Sequence, residues 1–359
     1  MKSMRRREFI YLAGAGTVAI AGCVGDRSVE SPAEERPAEG EPKDDVTTSE
    51  SERTVAVGEV VHGNGLSMVV RGINRVPTLD ATRYADDKDT DDGGFLDSDK
   101  NENAPFQAED GRLQSVAGTE FLTVELAIKN MTDEEFLSLE DILQPELQVD
   151  RTTHEAILLR AARTLQKGQL VPGEVERGEF VFVVPEGAEG LTLGVKSNSA
   201  ELGTKPLTVD LDAESDPNVD LEQELRVPIH SFGERAEAGG IEVTLNDLEL
   251  GNNLGAGLQP AEGNEYVALG ATIENTTAET VNLSPQNQIR LKDGTGRSYP
   301  PDLTTASIFD QFGGDTVLAD GESLDGKLAY QIEQETAPLY WTFDFSVSGA
   351  GNKEFWQLR

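Results

Sequence analysis

Two stretches of this chain repeat in register, and the repeat limits the fold more than any other feature. Gly118-Thr-Glu-Phe-Leu-Thr-Val-Glu-Leu-Ala-Ile-Lys-Asn130-Met-Thr132 lies on Gly263-Asn-Glu-Tyr-Val-Ala-Leu-Gly-Ala-Thr-Ile-Glu-Asn275-Thr-Thr277, with Phe121 facing Tyr266. Further on, Leu170-Val-Pro-Gly173-Glu174 lies on Leu318-Ala-Asp-Gly321-Glu322, and Gly178 lies on Gly326. The offsets, 145 and 148, differ by a loop-length change only. A period of this size is a whole folding unit rather than a short solenoid repeat. The chain therefore reads as tandem modules, 55–212 and 225–359, joined by the acidic segment 213–224.

Each repeated block has the period of a strand. Phe121, Thr123, Glu125 and Ala127 alternate with Leu122, Val124, Leu126 and Ile128, so the second set should face a core and the first should face out. Asn130 and Asn275 then open turns, because asparagine tolerates left-handed backbone and bonds its own main chain. Gly178 to Val184 and Gly326 to Ile332 predict further strands, as do Ile241-Glu-Val243-Thr-Leu245 and Trp341-Thr-Phe343-Asp-Phe345. Two short helical stretches are expected, Glu155 to Leu165 and Leu303 to Phe312. Many short strands with turn signals and few helices predict an all-β chain of two β-sandwiches.

One further motif sits between the blocks of the second module, Leu291-Lys-Asp293-Gly-Thr-Gly296-Arg-Ser-Tyr299. The first module has Val149-Asp150-Arg151-Thr152-Thr153 in that place. In this order of motifs the chain resembles a telokin-like, immunoglobulin-like domain family of unknown function, common in exported lipoproteins of bacteria and archaea. The second module is similar over nearly its whole length and the first over its two repeated blocks. The resemblance implies an immunoglobulin-like sandwich in an extracytoplasmic setting. It implies no activity, since the fold hosts unrelated functions.

The N-terminus points the same way. Arg6-Arg7-Glu8-Phe9-Ile10 reads as a twin-arginine export signal, with Arg6, Arg7 and Phe9 as its recognised residues. The weakly apolar run from Ile10 to Ile20 is too short to span a bilayer, which takes about 20 residues, and has the length of a signal core. It ends at Ile20-Ala21-Gly22-Cys23, which resembles a lipobox. Ile20, Ala21 and Gly22 would fit a peptidase cleft, and Cys23 would carry the lipid. Residues 1–22 are thus expected to be removed, after passage through the twin-arginine translocase, leaving the chain on the outer face of the cytoplasmic membrane. Residues 23–54 are rich in Glu, Asp, Pro and Ser and bury little, so they are expected to form a disordered tether.

Cys23 is the only cysteine, so no disulfide can form within the chain, and cysteine-based zinc sites lack their ligands. Sixty-six acids oppose 30 bases, a formal charge of −36, with 11 Lys and 19 Arg. Diffuse acid with scarce lysine suits concentrated salt, where the Debye length is about 3 Å and self-repulsion is screened. The composition points to a halophilic source, of the archaeal kind. With no basic stripe to neutralise phosphates, nucleic acid is excluded as a partner.

An insertion at 77–116 distinguishes the first module. Eleven acids lie between Asp80 and Asp110, and Asp87, Asp89, Asp91, Asp97 and Asp99 are spaced as calcium ligands would be. The twelfth position of either loop is Ser98 or Ala108 instead of glutamate, so a solvated acidic loop is the competing reading. Asn130, Asn275 and Asn282 each begin a glycosylation sequon. The three histidines, His62, His154 and His230, share no motif, and no nucleophile elbow or phosphate loop is present. A non-enzymatic chain is expected: a binding protein for an unknown protein or glycan, with an envelope spacer or a calcium-dependent surface module as alternatives.

Overall fold

The two repeated blocks become paired neighbouring strands in each of two equivalent sandwiches, the first block inner and the second at the sheet edge. The computed structural model describes residues 54–359 except 64, 81–105, 110–111, 158–164, 166–167, 197–206, 216–218, 255–257, 303–304, 306–307, 310–311 and 313–314. The expected export signal with Arg6, Arg7 and Phe9, the segment Ile20–Cys23, residues 23–53 of the expected tether, and the aspartates Asp87, Asp89, Asp91, Asp97 and Asp99 lie outside the described residues, while Thr54, expected in the tether, opens the first strand.

The first module runs β1 (Thr54–Val57), β2 (Val60–Gly63), β3 (Leu66–Val76), β4 (Thr78–Asp80), β5 (Phe106–Glu109), β6 (Arg112–Ser115), β7 (Thr119–Asn130), β8 (Leu137–Ser138), α1 (Leu139–Ile142), β9 (Gln144–Val149), β10 (Thr152–Glu155), β11 (Gln169–Leu170), β12 (Val175–Pro185), β13 (Thr192–Lys196) and β14 (Leu207–Glu214). The second runs β15 (Ile229–Ser231), β16 (Arg235–Ala238), β17 (Ile241–Gly251), β18 (Asn264–Asn275), β19 (Val281–Leu283), α2 (Pro285–Gln288), β20 (Ile289–Asp293), β21 (Ser298–Tyr299), β22 (Thr316–Leu318), β23 (Ser323–Glu333), β24 (Leu339–Asp344) and β25 (Lys353–Gln357).

The repeat extends through the whole topology. The sheet β1-β14-β13-β9-β10 corresponds to β15-β25-β24-β20-β21, and β2-β3-β7-β12 corresponds to β16-β17-β18-β23. A two-stranded ribbon follows suit, β8 with β11 and β19 with β22. Even the irregularities repeat: β3 bulges between Val70 and Gly72, β17 between Leu245 and Asp247, and each module's first strand pairs parallel with its last. A bulge kept in both copies increases strand twist at one fixed place.

Within each module the two larger sheets face one another across a single core. Met68, Leu122, Leu126 and Phe182 of one sheet meet Leu147, Leu193 and Val209 of the other. In the second module Val267, Leu269 and Ile273 meet Leu291, Trp341, Phe343 and Trp356. Each such side chain is wholly or almost wholly buried and contributes about 1.5–3 kcal/mol by leaving water. The aromatic C-terminal strands are thus core.

Two sequence expectations need correction. The outward set on β7 is not exposed. Phe121 packs with Leu79, Phe106, Leu113 and Val181, because the insertion adds a three-stranded sheet, β4-β6-β5, over that face. Ala127 packs with Val69 and Val175, with Leu221 of the joining segment against them. The helical stretch expected from Glu155 also fails at its start. Glu155 ends β10, paired with Glu146, and Ile157 bridges to Val181, so cross-strand pairing overrides local propensity there. Around Leu303 to Phe312, the described residues show one helical turn, in which the Ile308 and Phe309 N–H groups donate to the Thr305 carbonyl at 2.9 and 3.2 Å.

Candidate functional site

Residues 50–359 form one unit, and what unites its two modules is a buried ionic seam. Glu174 sits in the Pro-Gly-Glu turn before β12, and its Oε2 accepts from the Val171 N–H at 2.9 Å. Lys292, on β20, donates to Glu174 Oε1 at 2.5 Å, to Glu176 Oε2 at 2.7 Å and to the Val175 carbonyl at 2.9 Å. Lys353, opening β25, reaches Glu174 Oε1 at 3.0 Å and Oε2 at 3.2 Å. Two carboxylates and two ammoniums balance, so no net charge is buried. Burial pushes the Glu174 carboxyl up, but the Lys292 and Lys353 ammoniums and the Val171 N–H outweigh it and hold it below its ordinary value. Burial pulls Lys292 down, and Glu174 and Glu176 more than restore it, so its ammonium is held above the usual range.

The motif from Leu291 to Tyr299 explains itself at this seam. Asp293 Oδ1 accepts from the Thr295 N–H and hydroxyl, both at 2.8 Å, and from the Arg297 N–H at 3.1 Å. Its Oδ2 accepts from the Tyr299 hydroxyl at 2.8 Å. This tied turn presents Thr295 to Arg177 of the first module, 3.2 Å away, and lays Gly296 against Val175. Gly296 has φ +78°, and a β-carbon there would overlap the Val175 carbonyl, so only glycine fits. The joining segment runs over the same turn: Gln223 N–H donates to the Gly294 carbonyl at 2.7 Å and Glu224 N–H to the Gly173 carbonyl at 2.9 Å. In the first module the equivalent place is a two-residue hairpin, with Asp150 at φ 48° and Arg151 at φ 72°.

The other sequence-derived residues do not converge. His62 bonds Ser67, His154 donates to the Val183 carbonyl, and His230 faces Glu354 at 3.1 Å beside Trp356. Among the described residues no group of three metal-ligating side chains occurs, and no helix is long and apolar enough to cross a membrane. Asn130 and Asn275 are fully buried and equivalent. The amide of Asn130 donates to the Glu135 and Leu170 carbonyls, and that of Asn275 to the Glu279 and Leu318 carbonyls. Each accepts from the N–H and hydroxyl of the threonine two residues on. The threonine that completes each sequon thus closes a turn, and a glycan on either amide would replace a hydrogen now donated to a backbone carbonyl. Asn282 is exposed on β19. The buried seam itself carried no sequence signal, since its members are far apart in the chain; only the Gly-Glu turn pointed near it.

The profile of a domain of unknown function, DUF4352, matches residues 55–205 and 230–353. The chain belongs to this family. It carries the DUF4352 domain twice, in agreement with its two all-β modules. No curated protein matches the chain. Among solved structures, the yjhA protein of Bacillus subtilis is 18% identical, covering 36% of this chain and 100% of its own, with a TM-score of 0.29. An uncharacterized β-sandwich protein of Clostridium difficile is 18% identical, covering 38% of this chain and 99% of its own, at 0.26. A candidate lipoprotein of Bacillus subtilis, ycdA, is 10% identical over 34% of this chain and 38% of its own, at 0.28.

Proposed function

We propose that this DUF4352 protein is an exported lipoprotein whose two immunoglobulin-like modules act as an interaction body at the outer face of the cytoplasmic membrane. The observation that carries the reading is the order of signals at the N-terminus: Arg6-Arg7, a short apolar run, Ile20-Ala21-Gly22, then Cys23 and an acidic tether. Thirty flexible residues reach about 30 Å in the root mean square, enough to hold the modules off the lipid surface. The acid excess is the surface chemistry of a protein from a halophile, and the twin-arginine translocase is the partner during export. The ligand is a protein or glycan, and no catalytic role is proposed. Replacement of Cys23 by Ala in the full-length chain tests the anchor: the variant should leave the membrane fraction and lose lipid label, and membrane retention by the variant would sink the reading.

A second reading, a spacer of the cell envelope, is favoured by one observation. The charge-neutral seam fixes the modules against each other, as a strut requires. A calcium-dependent version rests on the spacing of Asp87, Asp89, Asp91, Asp97 and Asp99 alone. Titration of calcium into the intact ectodomain in concentrated potassium chloride, giving no heat, would remove it.

A further inference from the structure

The turn that receives the lysines in the first module is built again in the second, where the described structure seats nothing on it. Ala319 N–H donates to Glu322 Oε2 at 2.8 Å, as Val171 does to Glu174. Gly321 N–H donates to the Asn275 carbonyl at 2.9 Å and Asn275 N–H to the Glu322 carbonyl at 3.0 Å, matching Gly173, Asn130 and Glu174 bond for bond. Yet Glu174 is 0% exposed between two lysines, whereas Glu322 is exposed, and among the described residues no cation pairs with it. The strand beside the turn tells the same story. Gln169, on β11, holds Asn352 and Lys353 of the second module. Its counterpart on β22 is Val317, at 58% the most exposed large apolar side chain among the described residues. Val317 borders a recess of about 330 Å³ that Leu283, Asp315 and Val347 also line.

We propose that this face of the second module is a docking surface for a β-module of a separate polypeptide, which sets a lysine against Glu322 and an apolar side chain into the Val317 recess. The inference rests on the interaction reading above and names its surface and partner. The first module shows what such a surface accepts: sandwich strands that bring ammonium groups to the Gly-Glu turn. The substitutions between the copies define the difference. Glu176 is replaced by Leu324 and Gln169 by Val317, so the second surface asks for one lysine fewer and more apolar area. Asp315, Asp320 and Asp325 are exposed around it, which favours a cationic partner and disfavours a second copy of this acidic chain, whose own Lys292 and Lys353 are buried in its seam. Where salt screens exposed charge, apolar burial supplies most of the contact and the lysine sets its register.

Carbodiimide coupling on intact cells carrying the full-length chain tests this, because it joins carboxylates to ammonium groups already in contact. Peptide mass spectrometry should find Glu322 linked to a lysine of another polypeptide. The link should be lost in Glu322→Gln and depleted in Val317→Ser, with both variants still folded and anchored. No link from Glu322, a link to a second copy of this chain, or a link indifferent to Val317→Ser would overturn the proposal. A partner joined only at other positions would also overturn it, while leaving the interaction reading in place.

Discussion

The Lys292 ammonium lies 2.5 Å from a Glu174 carboxylate oxygen across 118 residues of sequence, and neither side chain is exposed. Moving two charges from water is costly, and their attraction repays it only with good geometry and full hydrogen bonding. Here Lys353, Glu176 and backbone groups complete the set, so the pair selects one arrangement of the modules more than it adds stability.

Removing one partner should therefore cost more than removing both. Lys292→Met strands Glu176 and leaves Glu174 with Lys353 alone, and breaking a buried pair costs about 3–5 kcal/mol, with the lower end expected because Lys353 remains. Adding Glu176→Gln to that variant leaves the neutral Glu174–Lys353 pair and should recover most of the loss. Urea unfolding of the three proteins at fixed high salt measures it, and a Lys292→Met cost below about 1 kcal/mol would contradict a stabilising set of this geometry.

The seam also sets a pH window. Glu174 is held below its unfolded pKa of about 4.3, so its contribution is present above that pH and lost as pH falls through the lower folded value. Lys292 is held above its unfolded value of about 10.4, so its contribution is present below that pH and lost as pH rises beyond the folded value. The stability gap between the wild type and a Lys292→Met, Glu174→Gln variant, which lacks both titrating groups, should change at both of these limits. Unfolding free energies measured across that range check it; a gap that shifts near neutrality would point to other groups.

Gly296→Ala separates backbone strain from seam contact. Gly187 has a similar φ, +71°, but open space where its β-carbon would go. Gly187→Ala should cost about 1 kcal/mol, the left-handed penalty alone. Gly296→Ala adds an overlap with the Val175 carbonyl and should cost clearly more in thermal or urea unfolding. Equal costs would mean the turn does not bear on the first module.

Asn275→Asp keeps the acceptor that Thr277 uses but removes the donor to the Glu279 and Leu318 carbonyls. Stranding buried acceptors costs about 1–3 kcal/mol, and more where a charge is left facing them. Asn275→Asp should thus be at least as damaging as Asn275→Ala by urea unfolding. Peptide mass mapping of the protein from its source should find Asn130 and Asn275 unmodified, leaving Asn282 as the accessible sequon.

The strands that repeat were readable because β7 and β18 are central, and their inward residues Leu122 to Ile128 and Val267 to Ile273 alternate cleanly. Their outward faces were not. Phe121 and Ala127 look solvent-facing by period, and only the distant packing of Phe106, Leu113 and Leu221 buries them. Glu155 belongs to a strand because Glu146 pairs with it, a fact outside any local window. The seam was hidden for the same reason. Lys292 and Glu174 are ordinary charged residues in an acidic chain until the fold of two modules brings them together. The motif around Asp293 was visible, but its purpose, a tied turn against Val175, depends on the neighbouring module.

The intact mass of the protein extracted from its own membranes tests the proposed anchor at Cys23. The mass should correspond to a chain beginning at Cys23 and carrying lipid, with residues 1–22 absent. A chain that retains Met1 or begins elsewhere, or that starts at an unmodified Cys23, would contradict it.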